Sequence, residues 1–276
     1  MIVDSHQHFW DPAAAEYRWM TDEVAPIRRR FMPEDLAPLL AAAGVDATVL
    51  VQARLDLEET RELLRLAAAT EFVAGVVGWV DLTGEDLPDT LAELKRGEGG
   101  RKLVGIRHQV HDEPDPRWLL RPDVQRGLRA VGEAGLVYDL LLRPRELPAA
   151  LEAVRVLDGL SFVIDHIAKP RIAAGPHDEE WERGLAPFAH IDNVSCKVSG
   201  LVTEAGWRSW RREDLAPYVE RVVEWFGEVR LLFGSDWPVC LLAATYQQVY
   251  EAARALLPSE NAFGANAIRV YGLEAA

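Results

Sequence analysis

Eight short apolar runs divide this chain at regular intervals, and that repetition limits the fold more than any single motif does. They are IVDSHQH from Ile2, ATVLVQA from Ala47, FVAGVVGWVDL from Phe72, KLVGIRHQV from Lys102, LVYDLLL from Leu136, SFVIDHI from Ser161, NVSCKVSG from Asn193 and VRLLFGSDW from Val229. Each is rich in Val, Ile and Leu without clean alternation, the pattern of strands buried on both faces. Segments of helical period lie between them, clearest at 57–70, 122–135, 146–159 and 213–227. Gly44, Gly135, Gly159 and Gly227 stand where those helices are expected to stop, since glycine takes the left-handed cap at little cost. Parallel strands need crossovers of a dozen or more residues, and these helices supply them. Eight such units over residues 1–276 predict a single domain, a distorted (β/α)8 TIM barrel, in preference to an open doubly wound sheet. No glycine-rich phosphate loop follows the first strand, which also weighs against a dinucleotide site. The stretch from Phe9 to about Met32, with Trp10, Tyr17 and Trp19, has no strong period and is expected to form a long loop over the barrel mouth.

The formal net charge is −14, from 44 acidic and 30 basic residues, so the chain carries no electrostatic footprint for nucleic acid or an anionic membrane. No leader-like segment opens it and no apolar run approaches a membrane span. Cys196 and Cys240 are too few for a disulfide framework. The expectation is a cytoplasmic protein whose partner is a small molecule. Asn193-Val194-Ser195 fits the glycosylation pattern but opens a buried strand, and we discount it.

In a barrel of this kind the active site lies at the C-terminal ends of the strands. Polar residues gather there. His6 and His8 end the first run, Arg107 and His108 the fourth, His166 the sixth and Asp236 the eighth, while Asp139 lies in the fifth and Lys197 in the seventh. Residues i and i+2 of a strand share a face, so His6 and His8 project together with Asp4 one step below. Each feature has a plain reading of its own. An isolated His-x-His recurs by chance; His166 beside Asp165 resembles a hydrogen-bonded core histidine. Asp236 could cap the turn before Pro238, Lys197 could reach a surface, and Cys196 reads as packing. Together, three histidines and a carboxylate on the first, sixth and eighth strands form the ligand set of a mononuclear zinc-type site.

These residues, with DSHQHFWDP, GVVGWVDL, KLVGIRHQVHDEPD, YDLLL, FVIDHIAKP, CKVSGLVTEA, FGSDWPVC and FGANAIRVYGL, resemble the amidohydrolase superfamily and within it the branch of the sugar-lactone hydrolases. The resemblance runs in order along nearly the whole chain. It implies a hydrolase that opens a sugar-acid lactone with water, with His6, His8, His166 and Asp236 holding one divalent metal, zinc. Binuclear members bridge two metals with a modified lysine. Lys102 lies at the wrong end of its strand for that, so one metal is expected, and related pyrone-dicarboxylate lactonases work without any. In this reading Asp236 is the general base, and His166 joins it in the catalytic set. His108, Arg107 and Lys197 stabilise the oxyanion, while Asp139, Trp10 and Trp237 hold a polyol ring. Arg54, Arg107, Arg143 and Arg171 lie beside Asp56, Asp139 and Asp165 and make no anion pocket, which favours a neutral lactone. Two other readings stay open: a decarboxylase of aromatic acids at a similar site, and a barrel that binds metal or ligand without turnover.

Overall fold

In the computed structural model, which describes residues 1–274, all eight apolar runs are strands. They are β1 (Val3–Gln7), β2 (Ala47–Val51), β3 (Val73–Gly78), β4 (Leu103–His108), β5 (Val137–Leu140), β6 (Phe162–Ile164), β7 (Val194–Val198) and β8 (Leu231–Phe233). Neighbours pair in parallel, in chain order from β1 to β8. The return from β8 to β1 is made one step above the strand end. There the Asp236 N–H donates to His6 O at 2.8 Å and the His8 N–H to Trp237 O at 2.7 Å. The bonds that close the barrel therefore join the two segments carrying the predicted ligands.

The helices between the strands are α1 (Pro33–Ala43), α2 (Leu57–Ala68), α3 (Leu87–Arg96), α4 (Pro122–Glu133) and α5 (Leu147–Val156). They continue as α6 (Glu179–Leu185), α7 (Leu201–Glu204), α8 (Arg212–Phe226), α9 (Tyr246–Leu256) and α10 (Ala265–Tyr271). Gly44, Gly135 and Gly227 have the expected positive φ. Gly159 does not: α5 stops at Val156, capped by Leu157, and Gly159 lies in the turn that follows. Among the described residues no helix is long and apolar enough to cross a membrane.

The barrel interior is layered. Val3, Val49, Val51, Val77, Val104, Val137, Val163 and Leu232 fill its lower part, and Ala267, Tyr271 and Leu273 pack on them. Thus α10 and Leu273 seal the bottom, burying apolar surface at about 25 cal/mol per Å². The upper part is polar. The segment from Phe9 to Met32 is a long loop as expected, pinned by an antiparallel bridge between Trp10 and Phe31 and containing a short 3₁₀ turn at Asp22–Ile27.

Lys102 sits just before β4, at the bottom. Its ammonium donates to Ala67 O, Thr70 O and Val73 O at 2.8, 3.2 and 2.6 Å, satisfying carbonyls where α2 ends and β3 begins. Replacing it, Lys102→Met, strands those carbonyls in a half-buried place. We expect a loss of about 1–2 kcal/mol in urea unfolding, with turnover unchanged.

Candidate active site

The first strand does not alternate as its sequence implies. Pairing with β2 slips register between Asp4 and Gln7, a bulge that changes which side chains face inward. Asp4 accepts from Tyr246 Oη on the outer helix α9 at 3.1 Å and from the Ser235 and His6 N–H groups at 2.8 and 3.1 Å. It braces the strand ends from behind and does not share a face with His6 and His8. Those two do converge, with Nε2 atoms 3.2 Å apart.

His166 and Asp236 reach the same point through strained backbone. His166, Ile167, Ala168 and Lys169 have φ of 52°, 47°, 61° and 51°, a full left-handed turn without glycine, and Asp236 has φ of 57°. Left-handed conformation costs an L-residue roughly 1–2 kcal/mol, so this geometry is held by its surroundings. Gly200 makes room for it: a Cβ there would stand 2.6 Å from His166 Nδ1 and 3.2 Å from Asp236 Oδ2. Asp236 Oδ1 then lies 3.5, 3.8 and 4.0 Å from the Nε2 atoms of His8, His6 and His166.

Each imidazole has its other nitrogen engaged. His8 Nδ1 is 2.7 Å from Val51 O, which can only accept, so Nδ1 carries a proton and Nε2 is the nitrogen turned to the site. His166 Nδ1 meets Ser199 Oγ at 2.8 Å, and His6 Nδ1 faces Asp165 Oδ1 at 3.3 Å. This is how metal-binding histidines are oriented, by a partner on the far nitrogen. The His6 and His8 Nε2 atoms are 3.2 Å apart, a separation that one shared proton bridges as an N–H···N hydrogen bond and that a metal ion would also suit, the edge of a tetrahedral zinc site being about 3.3 Å. Burial drives His6 and His166 well below the usual histidine range, so both stay neutral. Burial would raise the Asp236 carboxyl, but opposing charge at the site, to which Lys169 contributes, holds it below its usual range. His6, His166 and Asp236 each offer a ligand atom within 4.8 Å of the others, a set that fits one divalent ion, and His8 Nε2 stands beside it, 3.2 Å from His6 Nε2 and 3.5 Å from Asp236 Oδ1.

Beneath His6 lies a buried ion network. Lys197 Nζ donates to Asp139 Oδ2 at 2.6 Å and lies 3.0 Å from Asp165 Oδ1 and 3.2 Å from His6 Nδ1. Arg107 donates to Asp165 Oδ2 at 2.9 Å and to the backbone and side-chain oxygens of Gln52. From the sealed bottom, Tyr271 Oη donates to Asp139, 2.8 and 2.9 Å from its two oxygens. Two carboxylates thus face two cations, and Asp236 above them is left as the uncompensated charge.

Four of the predicted site residues therefore stand elsewhere than expected. Lys197 and Asp139 are wholly buried and do not line the cavity. His108 follows Arg107 in β4 and so faces the opposite way. It stacks on Trp118 at 4.2 Å, accepts from Trp79 Nε1 at 3.0 Å and meets Glu113 at 2.7 Å. Trp237 packs behind the loop against Phe9 and Phe31. Arg107 and Trp10 do line the cavity, a space of about 150 Å³ above His8, His166 and Asp236. Trp10 lies over the His8 ring with centroids 6.1 Å apart. Trp19, Gln109, His111, Asp112 and Lys169 complete much of the wall, and the sequence reading assigned none of them to the site.

A family model described as an amidohydrolase matches residues 3–273. An L-fucono-1,5-lactonase of Burkholderia ambifaria is 44% identical over 247 residues, 88% of this chain and 82% of that protein. An L-fucono-1,5-lactonase of Burkholderia multivorans is 40% identical over 256 residues, 90% of this chain and 85% of that one. The crystal structure of an amidohydrolase from Burkholderia multivorans with bound zinc has a TM-score of 0.91 to this fold. It is 38% identical and covers 99% of this chain and 100% of its own.

The two groups removed from the reacting centre should behave differently from each other. Lys197→Met leaves Asp139 and Asp165 facing each other without their cation, and we expect about 3–5 kcal/mol of lost stability in denaturant unfolding. His108→Phe keeps the stack on Trp118, and turnover should stay within about threefold of the parent.

Glu59 gives a pH signature. It accepts from the N–H groups of Ala53, a cavity residue, and Arg54 at 3.0 and 2.7 Å. Burial lifts its carboxyl to about 7 from an ordinary 4.5, against the pull of Arg54 and the two N–H donors. A raised folded value means that its contribution is complete below pH 4.5 and is lost as pH rises through 7. Glu59→Gln does not titrate. Its stability relative to the parent should therefore improve by about 3 kcal/mol from pH 4.5 to 7 and then stay level, read from urea midpoints.

Proposed function

Because the chain belongs to the amidohydrolase family, we propose that it hydrolyses a sugar-acid lactone, such as an L-fuconolactone or a related aldonolactone, in the cavity above Asp236. The observation that carries this reading is the buried Asp236 carboxylate facing the Nε2 atoms of three histidines at the floor of a cavity walled by Trp10 and Trp19. The named activity of two relatives at 44% and 40% identity supports it. A dissolved sugar lactone also suits an acidic chain whose two cysteines are both free and buried, as in the cytoplasm.

His6, His8, His166 and Asp236 would hold one divalent ion, zinc as in the solved relative, whose charge would polarise the lactone carbonyl and acidify water. The chain's own groups do the rest. Asp236 accepts a proton from water as its oxygen bonds to the lactone carbonyl carbon. When the bond from that carbon to the ring oxygen breaks, the electron pair stays on the ring oxygen, and Asp236 returns the proton there. The product is a hydroxy acid, which ionises and releases one proton to solvent. Asp165, Val51 and Ser199 hold the three imidazoles in place throughout. Trp10 and Trp19 give the sugar ring an apolar wall and keep bulk water off the carbonyl.

The test is a pH-indicator assay of acid release from a panel of sugar 1,4- and 1,5-lactones, with and without chelator. Asp236→Asn should lower kcat by about 10³-fold or more and His6→Ala should abolish turnover. Chelator should remove activity, and zinc should restore it. No turnover on any lactone by the zinc-loaded parent would overturn the proposal and move the search to carboxylated aromatic acids.

A further inference from the structure

The left-handed turn at 166–169 does more than deliver His166. Positions three apart on a single turn share a side, so the same strained backbone that aims His166 at the cluster brings Lys169 to the cavity wall. Placing His166 alone would leave the three residues after it free to relax. The left-handed conformation instead persists as far as Lys169, where Pro170 follows and disfavours the right-handed alternative.

Two basic side chains line this cavity, and their donors are used differently. Arg107 turns both terminal nitrogens inward, to Asp165, to Gln52 and to within 3.3 Å of His6 Nε2, and its Nε is buried without a partner. Lys169 Nζ makes one hydrogen bond among the described residues, to Glu204 Oε1 on α7 at 2.9 Å. An ammonium has three N–H groups, so two remain. His111, Asp112, His166 and Asp236 line the same cavity.

We propose that Lys169 is a catalytic residue that binds the charged carboxyl end of the reacting molecule, first as the carbonyl oxygen becomes an oxyanion and then as the product carboxylate. This deepens the lactonase reading and rests on it. A neutral lactone has no charge for Lys169 to bind, whereas the transition state and the aldonate product each carry one. Its interaction therefore strengthens along the reaction, which is the condition for raising kcat rather than lowering KM. Glu204 restrains the ammonium by one hydrogen bond of 2.9 Å.

The test compares the zinc-loaded parent with Lys169→Met and Lys169→Arg. Both variants keep an unbranched side chain on the left-handed backbone. Two readouts are needed: kcat and KM on the best lactone of the panel, and calorimetric binding of its aldonate against the neutral parent sugar. Lys169→Met should lower kcat about 30–100-fold with KM within about threefold, and weaken aldonate binding about tenfold with no effect on the sugar. Lys169→Arg should recover at least a third of the lost kcat. If the parent turns over and Lys169→Met matches it in kcat and in aldonate binding, the assignment of Lys169 is wrong and the lactonase reading stands. If the parent binds aldonate in a Lys169-dependent way but opens no lactone, the lactonase reading fails and the carboxylate site stands. A parent that neither turns over lactone nor binds aldonate overturns both.

Discussion

A lysine with no access to water stands at the centre of this molecule, and the site above depends on how it is neutralised. Lys197 meets Asp139 and Asp165 inside the barrel, and Arg107 meets Asp165 from the next wall. Removing two charges of each sign from water is costly, and mutual attraction recovers that cost only with good geometry. The return is rigidity. Asp165 Oδ2 accepts from Arg107, while Oδ1 makes no hydrogen bond and is held by charge, 3.0 Å from the Lys197 ammonium and 3.3 Å from His6 Nδ1, which it faces from behind. Through Asp139 and Tyr271 the same network reaches α10, which ties the sealed bottom of the barrel to the chemistry at its mouth.

The second constraint is backbone strain at the two places where the outer ligands enter. His166 and Asp236 both have left-handed φ, and each is over-determined by its surroundings. Gly200 leaves the space that His166 occupies. The N–H of Asp236 bonds to His6 O, so its strained residue also closes the barrel. Fold stability and site geometry share these bonds, and a change that relaxes either turn should move the carboxylate away from the three imidazoles.

Much of this was legible in the sequence, for a physical reason. Strands buried on both faces must be apolar throughout, so eight runs announced eight strands, and the polar residues ending them announced the mouth. What failed was parity and depth. Nothing in GIRHQ says which of Arg107 and His108 faces inward, since adjacent residues alternate and the register is set by pairing with β5. Asp139 and Lys197 were recognised as inward residues, but a sequence does not say how far below the rim a side chain sits. The bulge after Asp4 reversed an expected face. The turn at His166–Lys169 went unseen because the usual signals of positive φ, Gly and Asn, are missing from DHIAKP. Pro170 was the one local cue to it, and Lys169 was left unassigned as a result.

The most direct measurement is a crystal structure of zinc-loaded Asp236→Asn soaked with the lactone that the parent hydrolyses best. The account predicts an intact lactone ring in the cavity, its carbonyl carbon over residue 236 and its carbonyl oxygen on the side of Lys169, with the ring against Trp10 and Trp19. A lactone bound elsewhere, or one already opened by a variant lacking the carboxylate, would contradict it.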